Sequence, residues 1–293
     1  MFWSVFEPCA LIKPFFECIL NNFSTQFLRD SMIENHFGKT FKYILEQIEK
    51  RKGLVFLVID PPDQTPEEAG IIAKLAEEAG IAAFAVGGSI GAQGSTLDKT
   101  IKQIKANSSL PVILFPGNIA TLSPKADAAY FMSMLNSRDP YFISGAQTAS
   151  SIPVKKMNLE PIPTSYLVFE PGKAVGWVGQ ANLIPRDVPY IGVAAALAGQ
   201  FMGSHLIILE SGSGAPSCVP VENVKAIASV VDVPLIVAGG VKTPQMAFDA
   251  ISAGASIVHV GTAVDDVHKN KAKALKLMKE FVLAAEKGGQ NRK

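Results

Sequence analysis

HLIILESGSGA (residues 205–215) and PLIVAGGVKTP (residues 234–244) share one design: an apolar run of strand length that breaks directly into glycine. SIVHVGT (residues 256–262) repeats it with Gly261 and Thr262. Apolar runs without alternation are what a strand needs when both of its faces are buried. Five further runs of this kind precede them: LVFLVID (54–60), AAFAV (82–86), PVILF (111–115), DAAYFM (127–132) and SYLVFE (165–170). With LIILE (206–210), PLIVA (234–238) and SIVHV (256–260) they make eight. Helix-like stretches such as PEEAGIIAKLAEEAG, TLDKTIKQIKAN and VENVKAIASVV lie between them. Strands alternating with helices argue for a parallel sheet, and eight such units argue for closure into an α/β (β/α)8 TIM-like barrel.

One connection departs from the pattern. Only eleven residues, PGNIATLSPKA, join Phe115 to Asp127. A parallel crossover usually needs a dozen or more residues, most of them helical. With two prolines and a glycine, this segment is expected to be a loop in place of the third barrel helix.

The chain of 293 residues suits one barrel of about 250 residues plus an extension. Residues 32–293 are read as a single TIM-like barrel domain. Residues 1–31 are read as an N-terminal extension, and Met32 is an equally good start for an ordinary domain. The opening MFWSVFEPCALIKPFFECIL is apolar, but Glu7, Pro8, Lys13, Pro14 and Glu17 interrupt it. It therefore does not read as a spanning helix, and it lacks the basic and small-residue signals of a secretory leader. The net charge of +1 offers no electrostatic case for a nucleic-acid partner. Three scattered cysteines, Cys9, Cys18 and Cys218, suit a reducing, cytoplasmic setting. The four histidines have no zinc-ligand spacing.

Ligands of such barrels lie at the C-terminal ends of the strands. Glu210, Ser211, Gly212, Ser213 and Gly214 follow the sixth strand, Gly239 and Gly240 the seventh, Gly261 and Thr262 the eighth. Glycines let backbone N–H groups close in on an anion. One glycine turn alone would mean only a tight turn; three on neighbouring strands favour a phosphate monoester. Asp60, after the first strand, either caps the next helix or joins Ser89, after the second, as an oxygen ligand of Mg²⁺. Glu210 stands between these sides and could accept a proton from a substrate hydroxyl or form a salt bridge.

These stretches resemble geranylgeranylglyceryl phosphate synthase, a prenyltransferase family of archaeal ether-lipid synthesis. VIDPPD, AVGGSIG, PVILFPGN, YFMSMLNSRDPYFI, WVGQANLIP, LESGSGAP, IVAGGV and GT carry the likeness over residues 54–265 or so. The resemblance implies a modified barrel without its third helix. It implies attack by the 3-hydroxyl of sn-glycerol 1-phosphate on geranylgeranyl diphosphate with loss of diphosphate. It further implies Mg²⁺ on Asp60 and Ser89, Glu210 as the base, and glycerol phosphate contacts from Ile208, Leu209, Glu210, Ser211, Gly212, Ser213, Gly214, Gly239, Gly240, Gly261 and Thr262. Family members form dimers and hexamers, so a homo-oligomer is expected, and the amphipathic donor suits transient contact with a membrane surface. Two departures stand out. Ile208 occupies a position where the family usually has tyrosine, for which Tyr166 on the fifth strand is a candidate substitute. VIDPPDQ has an extra proline and lacks the family's lysine.

Phe115, Phe131, Met132, Met134, Tyr141, Phe142 and Trp177 are candidates for an apolar groove holding the prenyl chain, and each could equally be ordinary packing. Arg186 is a candidate diphosphate ligand or a surface salt-bridge partner. The alternatives to this function are a related glycerol phosphate prenyltransferase of another chain length and a phosphate-binding barrel of different chemistry. An isomerase or lyase would need a strand lysine or paired acids, and the eight strands contain no lysine.

Overall fold

The computed structural model describes residues 37–88, 90–261 and 270–292. The expectations for residues 1–31, Ser89 and Thr262 lie outside the described residues. Eight parallel strands close into a barrel in sequence order: β1 (Leu54–Ile59), β2 (Ala83–Gly88), β3 (Val112–Pro116), β4 (Ala128–Met134), β5 (Glu160–Val168), β6 (Leu206–Glu210), β7 (Leu235–Ala238) and β8 (Ile257–Val260). β8 closes on β1, with Phe56 opposite His259. Helix α1 (Lys39–Arg51) precedes the barrel, and α2 (Pro66–Ala79) and α3 (Gly94–Asn107) follow β1 and β2. No helix lies between β3 and β4, as the short, proline-containing link requires. A π-helical turn (Tyr141–Gly145) runs into α4 (Ala146–Lys156). α5 (Lys173–Val178), α6 (Pro189–Phe201), α7 (Val221–Ala228), α8 (Pro244–Ser252) and α9 (Lys271–Gln290) complete the wall.

Local chemistry sets where these helices begin. Thr65 caps α2 in a reciprocal box with Glu68, and Pro66 occupies the first turn. Thr243 and Pro244 do the same work at the start of α8, where a proline costs no hydrogen bond. Asp60 is therefore not the cap of α2.

Along each strand, side chains alternate between two cores. Val55, Leu57, Phe84, Leu114 and Leu209 face the helices; Phe56, Ile113, Tyr130, Ile208 and Ile257 fill the lumen. Every one of them is essentially inaccessible, which explains the continuous apolar runs.

β5 begins earlier than the sequence suggests, at Glu160, because Pro161 and Pro163 obscure it. Residues 160–163 pair only with β4, and β6 joins from Thr164 onward. The carbonyl of Pro163 accepts from His205 N at 2.7 Å on the β6 side. The two prolines, two residues apart, thus aim their missing N–H groups where no ladder exists, and nothing is lost.

Helix α1 stoppers the N-terminal end of the lumen with Phe41 and Ile44. Gly38 offers it no capping side chain. The cap comes instead from Glu160, 120 residues away, whose carboxylate accepts from Thr40 N at 2.7 Å and Phe41 N at 2.9 Å. A Cβ at position 38 would lie 2.1 Å from the Glu160 Cδ, so a side chain there would push the capping carboxylate aside. A carboxylate at a helix N-terminus satisfies orphan donors and favours the dipole. Glu160→Ala is expected to cost about 1–2 kcal/mol and to lower the melting temperature by about 2–4 °C. An unchanged melting curve would show that α1 is held by its apolar face alone.

Among the described residues, no helix is long and apolar enough to cross a membrane.

Candidate functional site

A pocket opens at the C-terminal mouth of the barrel and combines a polar half with an apolar half. The polar half is built from the glycine turns. Gly212, Gly214, Gly239 and Gly240 all have φ between +68° and +94°, the left-handed region that favours glycine. A Cβ on Gly239 would sit 2.1 Å from Glu210 Oε1 and 2.5 Å from Gly212 N. The turns after β6 and β7 are therefore pressed together, as the sequence pattern anticipates. Gly214 has nothing within 4 Å of where a Cβ would be, and it lines the pocket with Ser213, Gly239, Gly240 and Gly261.

The remaining residues of that segment sit behind the wall. Leu209 points into the helix-facing core. Ile208 lies in the lumen between Tyr166 and Ile236 in register. Ser211 is fully buried, and Gly212 contributes its N–H to Glu210. Neither lines the pocket.

Glu210, at the end of β6, is 5% exposed. Its Oε1 accepts from Gly212 N at 2.6 Å and its Oε2 from the Tyr166 hydroxyl at 3.0 Å. Neither partner is a cation, so the salt-bridge alternative does not apply. Burial pushes the carboxyl up to about 7, against the pull of these two hydrogen bonds. A group poised near neutrality can accept or return a proton at ordinary pH. Tyr166 stays protonated, because burial and then the nearby Glu210 and Asp60 carboxylates raise its hydroxyl well above the usual phenol range. A tyrosine from β5 thus lines the pocket opposite Ile208.

Beneath Tyr166 lies an aromatic floor. Phe115 meets the rings of Tyr130, His259 and Tyr166 edge-on, with centroids 5.5, 5.4 and 5.8 Å away. Tyr130 and His259 share a hydrogen bond of 3.1 Å. Burial pulls His259 down to about 3, so the imidazole is neutral and the floor carries no charge.

Asp60 stands on the opposite rim. Its carbonyl accepts from Asp63 N at 2.9 Å and Gln64 Nε2 at 2.6 Å, and Asp63 and Gln64 also line the pocket. A Cβ on Gly88 would lie 3.2 Å from Asp60 Oδ1, which places the end of β2 against this carboxylate. Sequence reasoning missed Asp63, although it lies in the same VIDPPD stretch.

The apolar half is a groove. Phe115, Phe131, Met132, Met134, Tyr141 and Phe142 line it as expected. Ala129 and Phe131 belong to the outer face of β4, so the groove leaves the barrel axis and runs over the outside of β4 toward Leu122, Ser150 and Val154. That space is free because the third helix is missing. Trp177 does not take part: it is 83% exposed. Val175 and Val178, three apart on α5, line the groove instead, which turns Trp177 outward. That three-residue spacing was the available signal.

Arg186 is also outside the pocket. Its guanidinium donates to Glu170 O at 3.0 Å, Ser211 Oγ at 3.4 Å, Ser217 Oγ at 2.9 Å and Cys218 O at 2.7 Å. It staples the loop after β6 from behind and is neither a pocket ligand nor half of a surface ion pair.

Residues 46–280 match the model of the PcrB family. The geranylgeranylglyceryl phosphate synthase of Pyrococcus horikoshii is 51% identical over 257 residues, which is 88% of this chain and 99% of that protein. The enzyme of the same name from Pyrococcus furiosus is 52% identical over 228 residues, 78% of this chain and 90% of that one. Among solved structures, (S)-3-O-geranylgeranylglyceryl phosphate synthase from Thermoplasma acidophilum in complex with substrate sn-glycerol-1-phosphate superposes with a TM-score of 0.78. It is 37% identical and covers 83% of this chain and 98% of its own. A tryptophan synthase structure from M. tuberculosis, 13% identical with a TM-score of 0.55 over 85% of this chain and 99% of its own, shares the fold alone.

Proposed function

Because the chain belongs to the PcrB family and stands within it among the geranylgeranylglyceryl phosphate synthases, which are prenyltransferases, we propose that it joins the 3-hydroxyl of sn-glycerol 1-phosphate to C1 of geranylgeranyl diphosphate. The ether bond forms as the bond from C1 to the diphosphate oxygen breaks, and the hydroxyl proton passes to the carboxylate of Glu210. One observation carries this reading: a single pocket holds a buried carboxylate between converging glycine turns and a long apolar groove. The glycine turns suit the phosphate of the acceptor. The groove suits a polyprenyl tail, whose burial removes apolar surface from water. The Tyr166 hydroxyl and Gly212 N–H orient the Glu210 carboxylate toward the pocket between the two.

Mg²⁺ belongs to this proposal. The residues present fit it: Asp60 and Asp63 offer hard carboxylate oxygens at one rim. That donor set suits an ion that takes one or two protein carboxylates and fills its shell with water and substrate phosphate. Bound there, Mg²⁺ supplies the positive charge that offsets the departing diphosphate. Asp60 holds its place through the Asp63–Gln64 turn bonded to its carbonyl.

Radiolabelled sn-glycerol 1-phosphate and geranylgeranyl diphosphate, incubated with the protein and Mg²⁺, should give an organic-extractable product that EDTA abolishes. Competition with shorter and longer prenyl diphosphates should leave the C20 donor preferred. No product, with glycerol phosphate still bound, would overturn the donor or the chemistry while keeping the phosphate site.

A further inference from the structure

The pocket's charges are unbalanced. Asp60, Asp63 and Glu210 line it, and Lys242 is the only lysine or arginine among the described residues that does so. Both substrates of the proposed reaction are polyanions. Glycine N–H groups supply partial charges to a phosphate but no full positive charge, and the Asp60 rim is itself acidic.

We propose that Lys242 is a substrate-binding residue that supplies the cation for the phosphate monoester of the acceptor; this rests on the functional reading above. Three observations place it there. Lys242 follows Gly239 and Gly240 at a distance of two residues, in the turn after β7. That turn is clamped against Gly212 and Glu210 by contacts a Cβ would not survive, so the stem of Lys242 starts from a rigid point. Its backbone is fixed as well: Lys242 N lies 3.4 Å from Met246 Sδ, and the next residue, Thr243, caps α8 through Met246 N. The ammonium makes no ion pair with a described carboxylate, which leaves its donors available. Asp60 and Asp63 stand on the β1 rim, so the assignment divides the pocket: monoester on the β6–β7 side, diphosphate on the β1 side. A lysine ammonium is a mobile point charge, suited to a small phosphate that backbone N–H groups have already oriented.

Titration calorimetry of the full-length protein with sn-glycerol 1-phosphate tests this. Lys242→Gln is expected to weaken binding about tenfold, as loss of a charge-assisted contact does. It should also flatten the fall in affinity with rising salt. Lys242→Arg should recover most of the affinity. The KM for the prenyl donor and the melting temperature should stay at wild-type values. Unchanged acceptor affinity in Lys242→Gln, or a loss confined to the donor, would overturn the assignment while leaving the functional reading intact. A wild-type protein that binds neither sn-glycerol 1-phosphate nor inorganic phosphate would overturn the functional reading itself.

Discussion

Glu210→Gln is expected to fold like the wild type and to lose between about a hundredfold and ten-thousandfold in turnover. The amide has the same shape. Its oxygen can still accept from Gly212 N, and its nitrogen can donate to the Tyr166 oxygen, so the local hydrogen bonds survive. What is lost is the ability to take up a proton. The pH dependence provides the sharper check. With a carboxyl raised to about 7 by burial, kcat/KM of the free enzyme should rise with pH through an acid limb near that value, and the limb should vanish in the variant. Stability should run the other way. The native protein retains a proton that the unfolded chain releases above the ordinary glutamate pKa of 4.5. The stability that this proton contributes is complete below 4.5, declines as pH rises toward 7, and above 7 the buried charge is a net cost. The variant, which cannot ionise, should therefore melt no lower than the wild type at pH 8. Retained turnover would remove Glu210 from the chemistry.

Asp60→Asn is expected to cut the rate by about a hundredfold or more and to move half-maximal activity to a higher Mg²⁺ concentration. The amide keeps an oxygen in place but removes the charge that attracts a divalent ion. The Asp60 carbonyl, which ties down Asp63 and Gln64, is untouched, so the turn should keep its shape and circular dichroism should not change. A variant with the wild-type rate and the wild-type Mg²⁺ requirement would exclude Asp60 from ion binding and leave Asp63 as the carboxylate at that rim.

The barrel was legible because buried parallel strands announce themselves by composition. LIILE is β6 residue for residue, and the missing helix showed as a link too short and too rich in proline. Readings failed where orientation or distance mattered. The first residues of β5 do not read as strand, since Pro161 and Pro163 interrupt the apolar run, and only the missing neighbour over residues 160–163 makes them harmless. Glu160 could not be recognised as a helix cap, since the helix it caps lies 120 residues away. Trp177 and Arg186 suit the site by chemical type alone. The structure turns the first outward and spends the second on carbonyls and hydroxyls. Lys242 sits near the glycine pair, yet in sequence a lysine after a turn looks like any surface lysine; only the charge balance of the pocket sets it apart.

The gap in the helical wall at β3–β4 lets the pocket extend past the mouth of the barrel and over its flank. Its polar part lies at the mouth, and its oily part lies along the outside of β4. A water-loving group and a greasy one can therefore lie side by side in one cleft, each against surface of its own kind. A helix in the usual third position would have walled off that flank, so the omission of one element of the barrel is what gives the pocket its greasy side.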